Sequence, residues 1–177
     1  MRLTPLDLDG AVLIDVDRIV DSRGHFARVF CIDELTAAGL DAGIVQASVS
    51  FNNKCGTLRG LHWQAGAQAE AKYVRCTRGA IFDAIVDLRP QSPTYLRWVS
   101  IELSQDNQRT LYIPKGFAHG FQTLCDDTEI FYQMTERFAP EAACGARFDD
   151  AAFGIVWPKT EQRIISDKDL GYPGFAL

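Results

Sequence analysis

Between residues 72 and 88 the chain reads KYVRCTRGAIFDAIVDL, and this stretch decides the fold class. Both halves are rich in β-branched and aromatic residues, and Arg78-Gly79 divides them with a turn signal. Working outward, residues 95–103 (YLRWVSIEL) have a similar composition, and residues 128–134 (TEIFYQM) alternate with the period of a half-buried strand. Further turn clusters stand at Asp21-Ser22-Arg23-Gly24, Asn52 to Gly56, Arg89 to Pro93, Gln105-Asp106-Asn107 and Cys125-Asp126-Asp127. Short strands punctuated at intervals of roughly 8–12 residues predict an all-β sandwich or barrel. One short helix is expected at residues 32–38, with Asp33 capping or complementing its first turn and Gly39 ending it. The loop-rich C-terminal third has room for another. With neither an internal repeat nor a low-complexity linker, residues 1–177 are expected to form a single domain around one core.

A formal charge of −5 argues against a general nucleic-acid or anionic-membrane surface, which needs a basic face to replace released counterions. The first ten residues, MRLTPLDLDG, place acids where a signal peptide needs a basic region followed by an apolar run. Asp or Arg interrupts every candidate span before it approaches the roughly 20 apolar residues that cross a bilayer. A soluble, cytoplasmic protein is therefore expected. The five cysteines, Cys31, Cys55, Cys76, Cys125 and Cys144, are scattered and are expected to be reduced structural thiols. The three histidines, His25, His62 and His119, include no His-x-His pair. That disfavours a metal centre, although His62, His119 and a carboxylate could still converge in space.

Alternation along strands says which side chains share a face. Tyr132 falls on the side of Ile130 and Met134, so its hydroxyl is expected to point into an enclosed space. Lys72 falls on the side of Val74 and Cys76, which puts an ammonium among apolar groups unless something anionic meets it. The alternative is a lysine at the strand end that snorkels to water. In GTLRGLHWQ, residues 56–64, a regular strand puts His62 on the side of Leu58 and Gly60, while a bulge at Gly60 would re-aim Arg59. Taken alone, His62 and His119 read as hydrogen-bonded core residues before they read as catalysts.

Several segments nevertheless occur together and in order. They are Asp21-Ser22-Arg23-Gly24-His25-Phe26, the Gly56-to-Gln64 stretch, Ala71-Lys72-Tyr73-Val74-Arg75, and Val86-Asp87-Leu88-Arg89 with Ser92-Pro93-Thr94. Ile113-Pro114-Lys115-Gly116-Phe117-Ala118-His119-Gly120-Phe121, Trp157-Pro158 and Ser166-Asp167-Lys168-Asp169 follow. From near residue 5 to near residue 170 this series resembles the dTDP-4-dehydrorhamnose 3,5-epimerase family.

The resemblance implies a cupin double-stranded β-helix, or jelly-roll barrel, with short peripheral helices, dimeric through strand exchange. It implies epimerisation at C3 and/or C5 of a nucleotide-diphosphate-linked 4-keto-6-deoxyhexose, without cofactor or metal. A mono-epimerase, a 3,4-ketoisomerase or a non-catalytic sugar-nucleotide-binding cupin are the alternatives. The last would be marked by loss of His62, Tyr132 or Asp169, and all three are present. His62 resembles the family's general base, Asp169 the carboxylate that orients it, Tyr132 the acid on the opposite face, and Lys72 the residue at the enolate oxygen. Arg23 and Arg59 resemble diphosphate ligands, the resemblance implying that Arg23 is offered across a dimer interface, and His119 and Lys168 match further substrate contacts. Read structurally, the arginines would instead pair with Asp21 or Asp87.

Departures cluster where the base would bind. Arg28 stands where a glutamate usually recognises the base, Ala47-Ser48 replace an Asp-Asn pair after Gln46, and Ala143 replaces another glutamate. Thymine offers an N3 donor to a carboxylate, whereas cytosine N3 or the guanine acceptors would suit Arg28. Alternatively Arg28 faces solvent and the base stacks on Phe26 or Phe138.

Overall fold

The computed structural model describes residues 1–175, and its strands follow the turn signals of the sequence. The strands are β1 (Arg2–Pro5), β2 (Val12–Asp15), β3 (Arg18–Asp21), β4 (Gly24–Ala27), β5 (Gln46–Asn52), β6 (Leu58–Gln64) and β7 (Lys72–Arg78). They continue with β8 (Ala80–Asp87), β9 (Trp98–Ser104), β10 (Thr110–Ile113), β11 (Phe117–Thr123), β12 (Thr128–Met134) and β13 (Ala143–Gly145). Helix α1 (Ile32–Ala37) lies between β4 and β5, and α2 (Asp167–Leu170) follows β13.

Six strands form one antiparallel sheet in the order β1-β2-β10-β7-β12-β5, and five form a second in the order β13-β6-β11-β8-β9. The 72–88 stretch is thus no hairpin. Its turn at Gly79, with φ +78°, carries the chain from the first sheet (β7) to the second (β8). Between the sheets Val74, Cys76, Leu111, Ile113 and Ile130 meet Ile81, Ile85, Leu103, Phe117 and Phe121. Burying each large aliphatic or aromatic side chain there contributes about 1.5–3 kcal/mol. The outer faces are covered as well. Leu35 of α1 packs with Val12, Ile14, Tyr73 and Tyr112, and the loops carrying Phe153 and Trp157 pack on Leu58, Leu61, Ala84, Val86 and Ala118. Among the described residues the result is the all-β jelly-roll barrel with two short peripheral helices.

One local expectation changes and one open alternative is resolved. The 95–103 strand begins only at Trp98, because residues 95–97 form a turn in which Leu96 has φ 60°. Helix α1 starts after Cys31 with no side-chain cap, so Asp33 complements the first turn, beside Glu34, instead of capping it. Gly39, at φ +77°, follows the helix end as expected. Among the described residues no helix is long and apolar enough to cross a membrane. The β3–β4 hairpin pairs with neither sheet, and its Ile19, Val20 and Phe26 are exposed.

Candidate active site

The pairing of β6 with β11 sets the site. His62 lies opposite His119 and Arg59 opposite Phe121, so three steps along β6 match two along β11. One extra residue is accommodated as a bulge around Gly60. Gly60 has φ +113°, and a Cβ there would fall 2.6 Å from the Gly120 Cα, so the two backbones approach only as glycines. The bulge reverses the alternation. Leu58 and Leu61 face the outer cluster, while Arg59 and His62 both line the interior. The regular-strand expectation, which put His62 on the side of Leu58, is therefore corrected; the alternative of a Gly60 bulge is what the chain adopts.

His62 Nε2 lies 2.7 Å from Asp169 Oδ1, and the backbone N–H of Gly60 donates to Asp169 Oδ2 at 3.1 Å. Asp169 is buried in α2, whose first turn is capped by Ser166 Oγ accepting from the Asp169 N–H. With a carboxylate as its partner, Nε2 carries the proton and Nδ1 is left as the basic nitrogen. Burial pushes the His62 imidazole below its ordinary value of 6.5, and Lys72 and His119 push it the same way; the Asp169 carboxylate opposes them. The ring is 41% exposed, and that surface opens into the cavity.

Tyr132 stands on β12 of the facing sheet. Burial, with Asp83 adding to it, raises its phenol well above the usual tyrosine range, so it stays protonated at neutral pH. A second histidine–carboxylate pair lies beside it, with His119 Nε2 2.8 Å from Asp83 Oδ1 and the His119 ring 6.0 Å from that of Tyr132. The two histidines thus engage different carboxylates. Among the described residues no three His, Cys, Asp or Glu side chains gather as metal ligands.

Lys72 does not snorkel. Its side chain is 13% exposed, and Nζ lies 3.0 Å from Oε1 of Glu70. Arg59 Nε donates to Asn52 Oδ1 at 2.8 Å, and Asp87 is taken by Arg89, Ser92 and Thr94. Only Arg23 makes the surface pair considered from the sequence, with Asp21.

A cavity of about 420 Å³ opens where β5 and β7 begin and β6 and β12 end. It collects His62, Lys72, Tyr132, Gln46, Ser48, Phe138 and Lys168. An adjoining cavity of about 410 Å³ shares His62, Lys72, Tyr132, Ser48 and Lys168 and adds Arg59, His119 and Asp169. Arg23, Phe26 and Arg28 line neither. They lie on or next to the exposed hairpin, where Arg28 donates to Glu34 at 2.8 Å and is 61% exposed. Sequence reasoning missed Asp83, Glu70, Trp63 and Tyr172. The ring of Tyr172 lies edge-on to His62 at 6.0 Å and over Gly145, where a Cβ would overlap it.

The chain as a whole is similar to known proteins in sequence and in fold. The family profile described as dTDP-4-dehydrorhamnose 3,5-epimerase matches residues 5–176. The dTDP-4-dehydrorhamnose 3,5-epimerase of Sinorhizobium fredii is 44% identical over 98% of this chain and 89% of its own length. The crystal structure of the Bacillus anthracis enzyme, with TDP and PPi bound, superposes with a TM-score of 0.94 at 37% identity, covering 98% of this chain and 99% of that one. The dTDP-6-deoxy-D-glucose-3,5-epimerase of Legionella pneumophila, in complex with dTDP-4-keto-L-rhamnose, gives 0.91 at 34% identity, covering 97% and 90%. By fold, by the sequence of its site segments and by full-length similarity, this chain belongs to the dTDP-4-dehydrorhamnose 3,5-epimerase family.

Proposed function

We propose that the chain epimerises C3 and C5 of a dTDP-linked 4-keto-6-deoxyhexose, with His62 as base and Tyr132 as the acid on the opposite face. One observation carries the assignment of roles: the two side chains stand on facing sheets and look into one cavity, His62 tied to a carboxylate and Tyr132 kept protonated by burial. A C–H bond beside the C4 ketone breaks, its proton goes to His62 Nδ1, and the electron pair moves onto the C4 oxygen. Tyr132 then returns a proton to the same carbon from the other side. Atoms and electrons balance without an oxidant or reductant. Lys72 donates a hydrogen bond to the C4 oxygen, where charge develops, and a water-poor pocket strengthens that contact. Asp169 fixes the His62 tautomer and supports the imidazolium. Arg59 and Lys168 meet the diphosphate, His119 contacts the sugar, and Gln46, Ser48 and Phe138 form the nucleotide end. Five free cysteines suit a reducing cytoplasm.

Thymidine is the base we assign, because Arg28 is already engaged by Glu34. Wild-type protein is expected to bind dTDP more tightly than CDP or GDP by calorimetry, and to take up deuterium at C3 and C5 of the dTDP-linked ketosugar in heavy water, read by NMR. Arg28→Glu is expected to leave the binding order intact. A hydrogen bond to a charged group contributes about 1.5–3 kcal/mol, or roughly 10- to 150-fold. A reversal of order of that size would instead make Arg28 the reader of a cytosine or guanine base.

A homodimer completes the site in this reading. Strand β5 is an edge strand whose outward Val49 and Phe51 are exposed, on the same face as Arg75, whose buried Nε has no partner among the described residues. Long apolar edges are hazards unless covered, and a second copy's β3–β4 hairpin supplies the missing strands together with Arg23 and Phe26. Light scattering is expected to give a dimer. Mixing inactive His62→Ala and Arg23→Ala proteins with subunit exchange is expected to restore activity, since one site of the mixed dimer is then intact. Monomers with full activity would defeat the proposal.

A further inference from the structure

Ala71 is fully buried on the outer side of its sheet, packed with Tyr73, and it is clamped to Thr135. Its N–H donates to Thr135 Oγ1 at 2.9 Å, and its carbonyl accepts from the Thr135 N–H at 3.0 Å. In extended backbone the residues on either side of Ala71 then point the other way, into the barrel. Glu70 and Lys72 are those residues, and both line the cavity. Their side chains are 7% and 13% exposed, with Oε1 and Nζ 3.0 Å apart. The other carboxylate oxygen, Glu70 Oε2, is buried without a partner among the described residues. A buried carboxylate with an unspent oxygen is costly, and Lys72 is its one ionic partner among the described residues.

An ammonium has three donors. One meets Glu70, and a second lies 3.5 Å from the His62 carbonyl oxygen. The third is left for the cavity. The carboxylate also offsets a cation that would otherwise oppose the imidazolium formed when His62 takes its proton.

We propose that Glu70 is a positioning residue for the epimerisation: it holds Lys72 as a charged donor with one N–H free for the substrate's C4 oxygen, and acts through Lys72 without touching the sugar. This rests on the reading of Lys72 as the residue at that oxygen.

The test is a double-mutant cycle on the full chain, with a dTDP-4-keto-6-deoxyhexose as substrate. Glu70→Gln keeps shape and an acceptor but removes the charge. It is expected to lower kcat by about 10- to 150-fold, the range for a hydrogen bond to a charged group, with KM within a few-fold of wild type. In a Lys72→Met background the same substitution is expected to cost nothing further. Glu70→Asp, which keeps the charge, is expected to recover part of the lost kcat. Calorimetric dTDP binding identifies folded variants, and Glu70→Asp carries the comparison if Glu70→Gln does not bind. Wild-type kcat in a dTDP-binding Glu70→Gln protein would overturn the proposal, as would an undiminished loss in the Lys72→Met background. Wild-type kcat in Lys72→Met itself would sink the parent reading of Lys72, and the proposal with it.

Discussion

His62→Ala is expected to abolish deuterium uptake at both C3 and C5 and to lower turnover by about 10²–10⁴-fold, the usual contribution of a positioned base. The basis is geometric. Nε2 is committed to Asp169, so Nδ1 is the basic nitrogen, and alanine leaves the cavity with no substitute at that point. The substitution also strips Asp169 of its ring partner and leaves the Gly60 N–H as the remaining contact to that side chain. The pH profile gives a second check. The neutral imidazole is the active form, so kcat/KM falls as pH drops through the His62 value. Because burial lowers that value, the fall is expected below pH 6.5. Wild-type exchange in the variant would remove His62 from the role of base.

Tyr132→Phe is expected to separate exchange from inversion. The ring, packed against the interior core and close to His119, is retained, so the fold is kept while the proton donor is lost. His62 still removes a proton and solvent deuterium still returns from the same face, so C–H exchange persists. Delivery to the other face loses its acid, and product formation is expected to drop by about 10²–10⁴-fold. NMR in heavy water reads both quantities in one tube. A variant that exchanges and inverts at wild-type rates would show that the second proton comes from elsewhere.

Much of the barrel was legible because its signals are local. The alternation of residues 128–134 put Tyr132 inward with Ile130, and the inward turn of Lys72 followed from Val74 and Cys76 in the same way. What binds Lys72 was also in plain view, two residues earlier at Glu70, but the meaning of that spacing depends on Ala71 being pinned outward by Thr135, a contact across 64 positions. Asp83 carried a comparable signal, an acid sharing the inward side with Ile81 and Ile85. Its partner His119 lies on another strand, so the pair emerges only once β8 and β11 are side by side. The face of His62 was misjudged by simple alternation because Gly60 allows two geometries, and pairing with Gly120 on β11 selects between them. The Arg78-Gly79 signal marked a turn correctly, yet whether a turn closes a hairpin or rounds a corner between sheets depends on which strands lie across from it.

The extra residue of β6 also makes the active site a matter of counting. Arg59 and His62 stand an odd number of residues apart and face the same way only because a bulge absorbs the difference. Were the same residues drawn into a regular pleat without the bulge, one of the two would turn outward, exchanging a charged or basic group for a leucine inside the cavity. Substitution changes what a position offers to the sugar. A change that straightened the bulge would alter which positions are offered at all, so in descent this segment tolerates most replacements of its letters more readily than the loss of Gly60, where a Cβ would meet the Gly120 backbone.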